Sequence, residues 1–193
     1  MTIMHRALQR FTIRDLTLIA AMAALGIAAK TVITPLFHII SAPLLIPGGA
    51  LAGGLYMMWL LVATGLTGKR GTATLVGLIQ AILVILTGVS ASHGILSLAS
   101  YTLPGLAIDL GLLIMGHRLC CLPCAFVSGI LANISGTFAV NLIFFQLPLA
   151  PFLFSLLIAA FSGALGGMLA WHLLLALRRF AIAGPPDSNL NSP

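Results

Sequence analysis

Six apolar runs occupy almost the whole chain, and their length dictates the solvent in which it folds. They cover residues 16–36, 44–66, 73–89, 96–115, 122–145 and 149–177. A helical crossing of a bilayer takes ~20 apolar residues, so each run approximates one crossing. Charge is correspondingly scarce, at 6% of residues, against about 25% in a soluble domain. The expected fold is therefore an all-α integral membrane protein, a six-transmembrane-helix bundle with residues 1–180 as a single domain. Residues 181–193, rich in Gly, Pro, Asn and Ser, read as a disordered cytoplasmic tail. The runs leave no room for a catalytic domain outside the membrane.

Orientation follows from the cations. Arg6, Arg10 and Arg14 precede the first run, and Lys69 and Arg70 separate the second from the third. Arg118 lies between the fourth and fifth, and Arg178 and Arg179 follow the sixth. The alternate loops, near residues 38–43, 90–95 and 146–148, carry neither Lys nor Arg. Cations in short loops mark the cytoplasmic side, which places both termini in the cytoplasm. The net charge of +6 is spread over these inner loops, where topology and anionic lipid account for it, so no nucleic-acid partner is expected. The first run exceeds the 7–15 residues of a signal-peptide core and is read as a retained helix.

Lys30 breaks the charge pattern, because it lies within the first run, ~21 Å along a helix from Leu16 and in the outer third of the span. Two readings follow: its ammonium snorkels to the outer headgroups, or it points into the bundle and meets a solute. Ala20, Ala24 and Ala28 form a small-residue stripe on the same helix, suited to close helix contact either within this bundle or with another subunit. Lys30 stands about 200° around the helix from Ala28, so an outward-facing stripe turns Lys30 inward. Pro35 is expected to end or kink the first helix, leaving residues 37–42 as a loop or cap on the outer side. Asp109 has three readings: a neutral carboxyl, a partner for Arg118, or a grip for a cytoplasmic protein.

The outer half holds the denser set of neutral polar groups. His93, Ser97, Ser100 and Tyr101 in the fourth run are expected to converge with Asn133, Thr137 and Asn141 in the fifth, the last three sharing one helix face. Amides in lipid need partners, so this row is either interhelical glue or a wall that recognises solute. Tyr101, Trp59 and Phe37 are candidates to stack on a flat ring. Gly163 and Gly167 form a further close-packing face. Cys121 and Cys124 have a redox or metal spacing, but no second cysteine pair or His cluster accompanies them. Small membrane-buried thiols are the simpler reading, and no metal site is expected. Neither a catalytic triad nor a phosphate loop is legible, so an enzyme is not expected.

The run RDLTLIAAMAALG at 14–26, with six short spans and cytoplasmic termini, resembles the substrate-binding S components of energy-coupling factor (ECF) transporters. The segments GVSASHGILS at 88–97 and SYTLPG at 100–105, followed by Asp109, look like the branch that imports thiamine precursors. The resemblance covers residues 11–179. It implies capture of a vitamin or precursor at the outer face of a bacterial or archaeal plasma membrane. It also implies no cofactor on this chain; ATP would be used by partners, an ECF T component and two cytoplasmic ATPase subunits. The family's small-residue docking motif is matched by Ala20, Ala24 and Ala28. Its pocket maps to His93, Ser97, Tyr101, Asn133, Thr137 and Asn141, with residues 37–42 as the cap, and Lys30 joins as the candidate cation. The residues alone also admit an autonomous secondary transporter or a non-transport membrane assembly subunit.

Overall fold

The computed structural model of the protein describes residues 11–41, 48–88, 96–116 and 119–179. Among these are six α-helices and no strand: α1 (Ile13–Ser41), α2 (Gly48–Thr67), α3 (Thr72–Thr87), α4 (Ser97–Ile114), α5 (Leu122–Val140) and α6 (Leu149–Arg179). A π-helical turn, Asn141–Phe145, extends α5. Five helices are long and apolar enough to cross a membrane. The sixth, α3, has 16 residues and reaches ~24 Å, short of the ~30 Å hydrocarbon core. Large apolar side chains such as Ile13, Leu86, Ile114 and Phe161 are exposed on the outside of the bundle, the surface lipid covers.

Local sequence explains the helix starts. Thr12 and Asp15 form a reciprocal cap on α1: the Thr12 N–H donates to Asp15 Oδ2 at 2.7 Å, and the Asp15 N–H donates to Thr12 Oγ1 at 3.3 Å. Gly71 takes a left-handed conformation (φ 83°) at the N-cap of α3, and Gly88 (φ 65°) closes that helix by donating to the Val84 carbonyl. Pro35 does not end α1. The helix continues through it to Ser41, so residues 37–41 are helical where a loop was expected. A proline removes one N–H and frees one carbonyl, a loss that a helix supported by its neighbours in a bundle absorbs. Residues 42–47, and with them Pro43 and Pro47, lie outside the described residues.

Helix α2 is the hub, packing on α1, α3, α5 and α6. Its glycines allow this. A Cβ on Gly54 would collide with the Ser162 carbonyl, and one on Gly166 would collide with the Gly54 backbone. Helices α5 and α6 meet in the same way: a Cβ on Gly129 would strike the Gly163 carbonyl and stand 2.9 Å from the Gly167 nitrogen. The expected Gly163–Gly167 face is thus one side of a backbone-to-backbone seam. Close approach of this kind supplies the dispersion contact that drives helix association where water is absent. Asn133 pins the seam, with Nδ2 donating to the carbonyls of Ala50 (3.0 Å) and Ala159 (2.9 Å), joining α2, α5 and α6.

Candidate functional site

A cavity of about 120 Å3 opens at the end of the bundle where α1 finishes and α2 begins. Five helices meet there: α1 supplies Lys30, Thr34 and His38, α2 Tyr56 and Met57, and α3 Gln80. Ser100 and Tyr101 come from α4, and Thr137 from α5, with Asn141 at the start of its π-helical turn. Lys30 turns inward. Its Nζ donates to the Tyr101 hydroxyl and lies 4.2 Å from the Tyr101 ring centroid and 5.4 Å from that of Tyr56. A cation held over two ring faces is stabilised by their quadrupoles. No carboxylate lines the cavity among the described residues, so Lys30 has no counter-ion there.

Several groups around it keep hydrogen-bonding capacity. Thr34 Oγ1 is buried with no partner among the described residues. Gln80 is buried and reaches toward Gly26 on α1, where a Cβ would collide with its amide. Tyr56 donates to the Gly49 carbonyl at a long 3.5 Å. The floor is apolar: a Cβ on Gly136 would stand 2.6 Å from Met57 Cε and 3.2 Å from Pro104 Cγ. The arrangement is a small, mainly apolar chamber lined by one ammonium, an imidazole, two phenols, two amides and hydroxyls, the general composition of a ligand site.

Of the residues singled out in the sequence, Lys30, Ser100, Tyr101, Thr137 and Asn141 line this cavity. Asn141 also accepts from the Leu147 N–H at 3.1 Å, holding the chain that leaves the π-helical turn. Asn133 does not line it; the side chain is fully buried, its Nδ2 is committed to the helix carbonyls in the interhelical role, and its Oδ1 has no partner among the described residues. Ser97 is buried one turn before Ser100, whose hydroxyl donates to the Ser97 carbonyl at 3.3 Å, and its side chain stays behind the lining. His93 lies outside the described residues. Trp59 packs on the core, and the second ring beside the Lys30 ammonium is that of Tyr56. Sequence reasoning passed over Tyr56, Thr34, Met57 and the role of Gln80. One signal was present: the chain has two tyrosines, and both face the same cavity.

At the opposite end Asp15, Lys69, Asp109 and Arg178 find partners within the chain, while Arg70 and Arg179 are exposed. Lys69 Nζ pairs with Asp15 Oδ2 at 2.6 Å, and Arg178 donates to the Gly65 carbonyl at 2.9 Å. Asp109 accepts from the Gly71 N–H (3.1 Å), the Thr74 N–H (2.8 Å) and the Thr74 hydroxyl (2.6 Å). It therefore caps α3 from a different helix, answering donors that α3 lacks the side chains to satisfy. On α1, Ala20, Ala24 and Ala28 are exposed while Ile19, Met22, Ala23 and Gly26 are buried, so the stripe faces away from the bundle.

Comparison with known proteins places this geometry. A crystal structure of an S-component of ECF transporter superposes with a TM-score of 0.73 over 90% of this chain and 88% of that chain, at 15% sequence identity. The expected likeness to S components thus holds at the level of fold. No curated protein matches the sequence. The profile of a transport family, described as "ABC-type cobalt transport system, permease component", matches residues 14–135, from the start of α1 well into α5. The chain belongs to that family of ABC-type cobalt transport permease components.

Proposed function

We propose that this protein is the substrate-capture component of an ATP-driven importer of the ECF type, taking up a vitamin or vitamin precursor. The observation that carries the reading is the cavity itself: a lone inward cation between two tyrosines, at one end of an S-component fold. In the proposed orientation all six helices cross the bilayer, both termini are cytoplasmic, and the cavity faces outward in a prokaryotic plasma membrane. The exposed Ala20–Ala24–Ala28 stripe is the contact for a membrane T component, which two cytoplasmic ATPase subunits drive.

The cavity volume is close to the ~150 Å3 of an engineered protein cavity that takes up benzene, which favours a single-ring guest. An amide, hydroxyls and an amine suit the edge of a heteroarene, and Tyr56 and Tyr101 suit its faces. A pyrimidine of the thiamine pathway satisfies all of these. The family description names cobalt, yet a bare divalent cation is a poor guest for a chamber lined by Lys30 and by no carboxylate among the described residues. Asp109, the acid a proton-coupled transporter would use, is occupied as a helix cap, which speaks against autonomous transport.

Native mass spectrometry of the detergent-purified protein tests the reading. A retained monocyclic heteroaromatic metabolite is expected; a preparation that carries none, and binds none from a panel of vitamins and precursors, overturns it. The energising partners are tested separately. Replacing Ala24 with Leu is expected to leave solute affinity unchanged while abolishing co-purification with a T component and ATPases. Normal assembly of that variant removes the stripe from the interface.

A further inference from the structure

The turn between α4 and α5 places three cysteines together at the end of the bundle remote from the cavity. Along α5, Cys124 and Asn141 are separated by ~25 Å, so this cluster is no part of the solute chamber. The turn is anchored by Leu119, which is buried and comes within 3.1 Å of where a Gly65 side chain would begin. Cys120 follows, exposed; Cys121 is the extended N-cap of α5; Cys124 is buried in its first turn. Their three sulfurs lie within 4.8 Å of one another, and Cys121 Sγ and Cys124 Sγ are 2.7 Å apart.

We propose that Cys120, Cys121 and Cys124 form a three-thiolate site for one soft monovalent d10 metal ion, of which Cu(I) is the type. Metal–sulfur bonds of ~2.3 Å require sulfurs about 4 Å apart, a spacing that small side-chain rotations reach from the observed cluster. Among the described residues the set is all sulfur, with no His, Asp or Glu joining it; His117 of the same turn lies outside them. Thiolates select soft ions, whereas structural zinc calls for four ligands and carboxylate or imidazole sets suit harder ones. Exposed Cys120 provides the entry, and binding releases the thiol protons to solvent. A Cys121–Cys124 redox couple would leave the third sulfur idle; a trigonal site uses all three.

The test uses the full-length protein in detergent, reduced with a phosphine and then freed of it under inert gas. Cu(I) is titrated against a chromogenic Cu(I) chelator. One equivalent per chain is expected, with a sulfur-only first shell by X-ray absorption at the copper edge. Cys120→Ser, an exposed position that leaves the fold intact, is expected to weaken binding beyond the ~10- to 100-fold typical of outer-shell changes. Protection of all three thiols from alkylation by Cu(I) in the unaltered protein provides a readout that needs no variant. The proposal is overturned if the reduced protein yields every Cu(I) ion to the chelator. It is equally overturned if C120S binds as tightly as the parent, or if alkylation in intact cells recovers Cys121 and Cys124 as a disulfide.

Discussion

The two ends of the bundle treat polar groups in opposite ways. At the end holding the α2–α3 turn, charges meet partners supplied by the chain: Asp15 with Lys69, Asp109 with the start of α3, Arg178 with a backbone carbonyl. At the cavity end, Lys30 meets ring faces and a phenol but no carboxylate, and the Thr34 hydroxyl meets nothing among the described residues. A polar group in a membrane protein is costly unless satisfied. Where the chain itself satisfies it, the role is structural; Lys30 and Thr34 differ in lining the cavity, where a bound molecule could supply the partner. Both ends rest on the same glycine seam, which accordingly answers to neither role.

Breaking the seam is expected to have the largest effect. Gly129→Val forces side-chain atoms into the Gly163 carbonyl and the Gly167 backbone, and overpacking of this kind costs about 3 kcal/mol or more where backbone must move. Loss of the monodisperse peak in size-exclusion chromatography is the check. Next comes Lys30→Met, which removes the cavity's cation while keeping its bulk. Solute affinity is expected to fall about 10- to 100-fold, matching ~1.5–3 kcal/mol for a hydrogen bond to a charged group. Thermal stability should hold or rise, because an uncompensated cation is gone. Unchanged affinity by calorimetry would make Lys30 a structural residue and erase the contrast between the ends.

Asp109→Ala sharpens the contrast from the other side. Removing a cap costs about 1–2 kcal/mol, so the melting temperature should drop while solute affinity stays put. A binding defect in that variant would mean the two ends are coupled. Smallest is Asp15→Asn, which gives up the ion pair to Lys69 but keeps an amide oxygen for the Thr12 cap. About 1 kcal/mol or less is expected, diminishing further in high salt, as denaturation at two ionic strengths can measure.

How much of this was written in the sequence depends on the reach of each signal. Apolar run length is local, and it located all six helices to within a few residues, apart from the end of α1; residues 44–47, ahead of α2, lie outside the described residues. Pro35 misled because the usual rule for proline weighs one lost hydrogen bond in isolation, whereas α1 extends along α2 and α3. The Lys30 direction was inferable from the angle to the alanine stripe, a relation within one helix. Asn133, Thr137 and Asn141 share a face, but helical periodicity cannot tell which member meets carbonyls and which meets a cavity. That distinction depends on how far Gly53 lets α2 approach, a fact about two other helices. Tyr56 and Gln80 were missed for the same reason: they come from helices far apart in sequence, and only tertiary packing brings them to Lys30. Asp109 was legible as an anomaly, but its partner, a helix start with no cap of its own, was not.

The backbone-to-backbone seam has a consequence for how such a protein can change its diet. Helices α2, α5 and α6 are joined through glycines, the Asn133 amide and the Ser162 hydroxyl, none of which lines the cavity. The cavity residues Lys30, Tyr56, Gln80 and Thr137 are spread over four helices and take no part in that seam. Frame and cavity lining are thus encoded at separate positions, and substitutions at those four sites leave the glycine seam untouched.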